Sequence, residues 1–130
     1  MILDTSFIID LMNRDEGAVK KLEELTRRGE TQLITVVSIF ELYSGVVQSK
    51  KPVEEREKVI KRLEGQTILH LERISAEKAG EIDGALIKSG EMIEPTDSMI
   101  AGIALTKGEK VLTRNIKDFK KVRGLVVEEY

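Results

Sequence analysis

The stretch PTDSMIAGIAL, residues Pro95–Leu105, contains the pattern that decides how the rest of the chain is interpreted. Its apolar residues recur at intervals of three and four, which is typical of the buried face of a helix. Continued one turn toward the amino terminus, that face reaches Asp97. A carboxylate on an apolar face needs a cation or hydrogen bonds, because burying an unpaired charge is costly. Alternatively, Asp97 stabilises the first turn through the helix dipole, by roughly 0.3–1 kcal/mol.

On both sides of this helix, short β-branched or apolar runs alternate with helical segments. Ser38 and Ser75 are predicted to begin two of the helices as N-caps. The alternation predicts an α/β fold with a central, mostly parallel β-sheet flanked by helices on both faces. We expect a single domain covering residues 1–130. Strands are predicted at five runs: MIL, TQLITVV, TILHL, EKVLT and GLVVEE.

The composition excludes several classes of protein. Hydrophobic residues make up 41% of the 130 residues, enough for a folded core, and the absence of cysteine excludes disulfides and zinc–thiolate sites. No run approaches the roughly 20 apolar residues of a membrane span. The start of the chain is acidic and lacks a basic leader, so we expect a cytoplasmic protein. The net charge of -2 argues against broad electrostatic capture of nucleic acid.

Four acids follow predicted strands or lie early in the next helix: Asp4, Glu41, Asp97 and Asp118. The carboxyl ends of parallel strands share one edge of a sheet, where ligands bind in open α/β folds. We therefore expect these carboxylates to converge there. Besides the dipole effect given above for Asp97, the other three have structural explanations: a helix cap for Asp4, a solvated surface position for Glu41 and a surface pair with lysine for Asp118.

A cluster of carboxylates has a recognisable chemistry. The negative charges repel and raise each other's pKa values, and a divalent cation relieves that repulsion. Oxygen ligands suit Mg²⁺ or Mn²⁺ rather than Zn²⁺. A metal held in this way polarises a phosphate and generates hydroxide from water, which is a recurrent device for phosphodiester hydrolysis. Thr113 and Asn115, close to Asp118, can orient a ligand or close the turn.

Basic residues are concentrated around the last acid. The segment from Arg114 to Arg123 has five basic residues and one acid, a local balance of +4. It can hold RNA phosphates or form a solvated basic turn. We assign four of its residues to RNA binding: Arg114, Lys117, Lys120 and Lys121.

The sequence lacks the residues that other classes of enzyme need. There is no phosphate-binding glycine loop, and His70 is the only histidine, without a cysteine or an obvious serine partner. A phospho-receiver domain needs an aspartate at the end of a central strand. The middle strands end in ITVV and ILHL instead.

The segments LDTSFIIDL, SIFELYSG, PTDSMIAGIAL and VLTRNIKDF, in this order, resemble the signature segments of PIN-domain proteins. More narrowly, they resemble the VapC toxins of VapBC toxin–antitoxin systems, over almost the whole chain. The resemblance implies an Mg²⁺- or Mn²⁺-dependent endoribonuclease in which the four acids are catalytic and bind the metal. Thr5 or Ser6, and Asn115, match polar positions that often support the metal or its waters.

The resemblance also implies partners. They are an RNA substrate, a cognate VapB-like antitoxin and a second copy of the chain, for which Phe40, Tyr43 and Val47 offer apolar surface. Gly102 stands where the family usually has alanine, which we expect to weaken that helix by up to about 1 kcal/mol.

The sequence leaves four points open. Some branches of the family carry an acid where Asn115 stands, so the number of metals is undecided, and Glu94 or Asp83 can contribute a further carboxylate. A housekeeping RNA-processing nuclease has the same site, and a neighbouring reading frame for a small DNA-binding protein would favour the toxin. A non-catalytic interaction module would be expected to have lost one of the four acids.

Overall fold

A computed structural model describes residues 1–130. No helix combines the length and apolarity that a membrane crossing requires. The strands are β1 (Ile2–Leu3), β2 (Leu33–Thr35), β3 (Thr67–Leu69), β4 (Val111–Leu112) and β5 (Val127–Glu128). The helices are α1 (Thr5–Met12), α2 (Glu16–Arg27), α3 (Val36–Gln48), α4 (Pro52–Leu63), α5 (Arg73–Lys88), α6 (Pro95–Lys107) and α7 (Ile116–Phe119).

The five strands form one sheet in the order β3-β2-β1-β4-β5, and every neighbouring pair is parallel. The predicted α/β class is confirmed, with a fully parallel sheet. From β1 the chain moves outward through β2 to β3, and then returns to the other side of β1 for β4 and β5. The order therefore reverses between β1 and β4, and this switch point is where ligands bind in such sheets.

Successive strand residues point to opposite faces of the sheet and build two cores. Ile2 packs with α5, α6 and α7, whereas the adjacent Leu3 packs with α1, α2 and α4. Val111 and Leu112 divide between the two cores in the same way. Both faces of the sheet are thus covered, which explains why the central strands β1 and β4 are apolar and buried at both of their positions rather than at alternate ones.

The helix α6 is buried on more sides than its pattern predicted. It lies in the core between the sheet and α5, against which it packs extensively. A helix buried on most sides has no single apolar stripe, so the one-sided interpretation of PTDSMIAGIAL was too narrow. Its buried residues are Asp97, Ser98, Ile100, Ala101, Gly102, Ile103 and Ala104.

Two predicted helix starts were wrong. The strand β2 ends at Thr35, whose hydroxyl accepts a hydrogen bond from the Ser38 amide at 3.2 Å, so Thr35 rather than Ser38 caps α3. The run TVV has β-branched residues that favour a strand, but Val36 and Val37 are helical because tertiary packing overrides that weak preference. The helix α5 begins before Ser75, whose hydroxyl donates to the Glu72 carbonyl.

Gly102 has a packing role that helix propensity does not reveal. A Cβ atom at this position would lie 2.6 Å from the Ser75 carbonyl oxygen and 2.8 Å from the Ala79 amide nitrogen. Both atoms belong to the backbone of α5 and cannot rotate away. The missing side chain therefore lets α5 approach α6 closely, and the expectation that glycine only weakens the helix was incomplete.

We expect Gly102→Ala to lower the free energy of unfolding by about 1–3 kcal/mol, because the added methyl group overpacks the contact between α5 and α6. Gly84 is the control, since it is an exposed helical glycine with no atom within 4 Å of the position that a Cβ atom would occupy. Gly84→Ala should stabilise by roughly 0.5–1 kcal/mol. Urea unfolding measures both variants, and equal stabilisation by the two would contradict the packing argument.

Candidate active site

Asp4 lies at the carboxyl end of β1, the central strand, directly beside the switch point, so the expectation that no central strand ends in an aspartate was wrong. Its amide donates to the Leu112 carbonyl of β4, and its side chain is buried. The Oδ2 atom accepts hydrogen bonds from the Thr113 hydroxyl at 2.7 Å and the Ser6 hydroxyl at 2.9 Å. It does not cap α1, although it holds the N-cap position. Its carboxylate therefore lies at the edge of the sheet and makes no hydrogen bond to the backbone of α1.

Glu41 reaches the same edge from the second turn of α3. Its Oε1 atom accepts from the Thr5 hydroxyl at 2.7 Å, and its Oε2 atom from the Thr96 hydroxyl at 3.3 Å. The Ser38 hydroxyl lies 2.8 Å from that of Thr5. These bonds connect α1, α3 and the first turn of α6, so Glu41 is a half-buried, hydrogen-bonded residue and not a solvated surface acid.

Asp97 and Asp118 are joined through one amide group. The Nδ2 atom of Asn115 donates to Asp118 Oδ2 at 3.0 Å and lies 3.4 Å from Asp97 Oδ2, a longer and weaker contact. Asn115 is held in turn by its backbone amide, which donates to the Thr113 hydroxyl at 2.8 Å. Thr113 thus links Asn115 to the Asp4 carboxylate.

The carboxylates are close enough for their negative charges to act on one another. Burial raises the pKa of Asp97 to about 7, and the charges of Asp4, Glu41, Asp118 and Glu94 contribute to that rise in this order. Burial also raises the pKa of Glu41, where hydrogen bonds from two threonines oppose the effect of the neighbouring acids. Among the four predicted acids only Asp118 has a cationic partner, Lys121 at 3.5 Å.

The atoms that these side chains offer to a metal are carboxylate, hydroxyl and amide oxygens, which are the type that Mg²⁺ or Mn²⁺ prefers. No three acidic or histidine side chains meet at the spacing of a shared metal ion. They are linked instead through hydroxyl and amide groups. Mg²⁺ is usually held by only one or two carboxylates and keeps several waters, so this set fits such an ion without a closed cage.

Every polar residue predicted to support the acids takes part in the network: Thr5, Ser6, Thr113 and Asn115. Two further hydroxyl groups of the network were not predicted as part of the site, namely those of Thr96 and of Ser38, which was expected only to cap a helix. It left Glu94 open, and the structure places that charge in the field of Asp97, whereas Asp83 lies in an apolar cleft beside Leu71. A threonine directly before Asp97 was the available signal.

The basic residues assigned to RNA binding divide into two kinds. Lys117 and Lys120 make no ion pair within the chain, whereas Lys121 is paired with Asp118. Arg114 donates to Asp10 through Nη1 at 2.8 Å and 2.9 Å. His70 is exposed just after β3 and hydrogen-bonds none of the acids.

A parallel sheet with acids gathered at its switch point is the arrangement expected for a PIN domain. Residues 1–125 match the family model described as PIN domain, and the chain belongs to that family. Among curated proteins it is 27% identical to Ribonuclease VapC2 of Rickettsia felis, over 99% of this chain and 96% of that protein. It is 29% identical to the tRNA(fMet)-specific endonuclease VapC of Salmonella typhimurium, with the same coverage of each chain.

Solved structures agree with this membership. The crystal structure of VapBC2 from Rickettsia felis bound to a promoter DNA fragment contains a chain that matches with a TM-score of 0.88 and 27% identity, covering 99% of this chain and 97% of that one. The DNA-bound VapBC of Salmonella typhimurium matches with a TM-score of 0.85 and 26% identity, covering 98% and 96%. The predicted resemblance to PIN-domain VapC proteins is confirmed.

The raised pKa of Asp97 predicts a pH-dependent stability. Below about pH 4 the side chain is protonated in both folded and unfolded protein. Between that pH and the folded-state pKa of about 7, only the unfolded chain loses the proton, so stability falls as the pH rises. Above pH 7 the loss is complete and is on the order of 2–4 kcal/mol.

Asp97→Asn cannot ionise and should escape this loss. We expect the variant to unfold at a higher urea concentration than the wild type at pH 8 in EDTA, with a much smaller difference at pH 4. A variant that is no more stable than the wild type at pH 8 would show that the carboxylate is not repelled in the folded protein.

Proposed function

We propose that this protein is a metal-dependent endoribonuclease and the toxin of a toxin–antitoxin pair. The observation that carries the proposal is the linked set of acids at the switch point between β1 and β4, where Asp4 and Asp97 are buried without a cationic partner. The names of the VapC relatives as ribonucleases and endonucleases support the same reaction class.

In this proposal the carboxylates bind the metal and the basic residues bind the RNA. Asp4 has one oxygen fixed by the hydroxyls of Ser6 and Thr113, while Oδ1 accepts no hydrogen bond within the chain and is available as a ligand. Asp97 supplies the second carboxylate. It lies in the first turn of α6, and the surrounding core fixes that helix. When bound, Mg²⁺ or Mn²⁺ supplies a Lewis acid for the phosphate and a lowered pKa for its water.

Glu41 and Asp118 complete the acidic edge. Because burial raises the pKa of Glu41, its carboxyl group is suited to hold a proton near the reacting phosphate at Oε1 or Oε2. Asp118 orients the Asn115 amide, which also contacts Asp97. Lys117 and Lys120, which lack acidic partners, provide positive charge for the RNA backbone.

Replacing a metal-binding carboxylate by an amide tests this assignment. We expect Asp4→Asn and Asp97→Asn each to lower Mg²⁺-dependent RNA cleavage by at least about a hundredfold while the protein stays folded. Asp83→Asn is the control, since it makes the same charge change outside the cluster. Cleavage of a tRNA pool and of an unstructured RNA is measured in Mg²⁺, Mn²⁺ and EDTA. Undiminished cleavage by Asp97→Asn, or by wild type in EDTA, would refute the metal-nuclease proposal.

The proposed partner is a VapB-like antitoxin encoded by a neighbouring reading frame. Solved VapC neighbours are described as VapBC complexes, which supports a partner of this kind. Blocking the site requires a positive charge, because Asp4 and Asp97 repel each other and anions. We propose that the antitoxin inserts a basic side chain between them, with arginine favoured because its guanidinium binds carboxylates through two parallel hydrogen bonds.

A second copy of the chain is the other proposed partner. An apolar cleft of about 410 Å³ lies beside the first turn of α6, and its wall includes Phe40, which is 67% exposed. Val47 lies on the same helix and is also exposed, whereas Tyr43 is partly buried and has Arg56 above its ring. The face offered for pairing is therefore centred on Phe40 and not on Tyr43. The cleft is lined by Val36, Val37, Phe40, Leu71, Thr96 and Met99.

A charge on this face should prevent pairing. We expect wild-type protein to be a two-fold dimer in light scattering and Phe40→Glu to be a monomer, because burying an unpaired carboxylate opposes association. Val53→Glu is the control, since Val53 is 72% exposed and lies on α4 outside the cleft. It should remain dimeric. A wild-type monomer at high micromolar concentration would refute the dimer.

A further inference from the structure

Asp10, on α1, is a buried acid outside the four-acid cluster. Its two oxygens accept hydrogen bonds from Arg114 Nη1 at 2.8 Å and 2.9 Å. The Tyr130 hydroxyl donates to the Oδ2 atom at 2.5 Å. One carboxylate thus joins the first helix, the loop after β4 and the segment after β5.

Tyr130 is fixed by more than this bond. Its ring packs edge-on against Phe7, with ring centroids 4.7 Å apart and an interplanar angle of 76°, and Phe7 is fully buried. A tyrosine phenol is protonated at neutral pH and can donate, and burial together with the neighbouring Asp10 carboxylate raises the pKa of Tyr130 further. The Asp10 carboxylate is therefore held from one side by a rigid aromatic donor.

Arg114 lies between two residues of the proposed active site. Thr113 bonds to Asp4, Asn115 bonds to Asp118, and the Arg114 backbone amide itself donates to the Ser6 hydroxyl at 3.3 Å. Only Nη1 of its guanidinium is used within the chain. The Nη2 and Nε groups have no partner, and the side chain is 62% exposed.

Resting on the nuclease function proposed above, we propose that Asp10 and Tyr130 are positioning residues that hold Arg114 so that its unused N–H groups bind a phosphate of the RNA beside the acids. The guanidinium is planar and presents donors on several sides, so it can pair with Asp10 through one group and with a phosphate through others. A phosphate approaching repelling carboxylates gains most from a cation that is already fixed in place. A lysine has one ammonium group and cannot bridge two anions with the same geometry.

The charge of Asp10 makes the idea testable. Asp10→Asn removes a negative charge beside an RNA-binding surface, so general electrostatics predicts tighter RNA binding. Positioning predicts the opposite, because Arg114 loses its anchor. The control is Glu16→Gln, which makes the same charge change at an exposed position of α2 that forms no ion pair.

RNA affinity is measured by fluorescence anisotropy in EDTA, where no cleavage is expected, and kcat and KM are measured in Mg²⁺. We expect Asp10→Asn and Arg114→Lys each to weaken RNA binding and raise KM by about tenfold, with a smaller change in kcat. Tyr130→Phe keeps the ring packing and loses only the hydroxyl, so it should act in the same direction by a few-fold. Glu16→Gln should bind RNA at least as tightly as wild type.

The double variant separates positioning from a general loss of structure. If Asp10 acts through Arg114, Asp10→Asn combined with Arg114→Lys should bind RNA no more weakly than Arg114→Lys alone. Additive losses would overturn the proposal, as would Asp10→Asn or Tyr130→Phe proteins that bind RNA as tightly as Glu16→Gln. Wild-type protein that cuts no RNA in Mg²⁺ would overturn the nuclease function itself, which is a different result.

Discussion

The hydrogen bond from Thr113 to Asp4 joins the two strands between which the chain reverses its direction across the sheet. It connects residues 109 positions apart, and the contacts that reach Asp97 and Asp118 extend from it, whereas Glu41 is held separately by Thr5 and Thr96. On one side, Ser6 fixes Asp4. On the other, the Asn115 amide bonds to Thr113 and its side chain reaches two further acids. A single buried hydroxyl thus sets the spacing of carboxylates that belong to different strands and helices.

The protein tolerates a cluster of repelling acids because neutral donors contact Asp4, Glu41 and Asp97, and only Asp118 has a cationic partner. Hydroxyl and amide groups satisfy part of each carboxylate without cancelling its charge, whereas a lysine or arginine would neutralise it. Burial and the neighbouring charges raise the pKa values of Asp97 and Glu41, which shows that their ionised forms are disfavoured in the folded state. Asp10 lies nearby in sequence but has the opposite environment, since Arg114 neutralises it. Asp10 is therefore a charge-paired acid, whereas Asp4 and Asp97 have no cationic partner and keep their negative charge available.

Much of the fold and most of the site follow from local patterns. Apolar runs alternating with helical periodicity predicted the parallel sheet, and the position of acids after strands predicted Asp4, Glu41, Asp97 and Asp118 as neighbours. The features that were missed depend on pairs distant in sequence. The close approach of Gly102 to Ser75, the bond from Thr96 to Glu41 and the anchoring of Arg114 by Asp10 are set by packing between elements. The periodicity of one segment does not show which residues of another segment it will contact.

The position of β1 at the centre of the sheet has a consequence for how the protein folds. The strand β1 pairs with β2 on one side, but its other edge pairs with β4, which lies about a hundred residues later in the chain. Contacts of such sequence separation form slowly, because the entropy of loop closure is lost before they contribute. During synthesis, Asp4 therefore stays apart from Thr113 and Asn115 until β4 and the residues that follow it have been made. A growing chain on the ribosome, itself an assembly of RNA, has no complete acidic cluster.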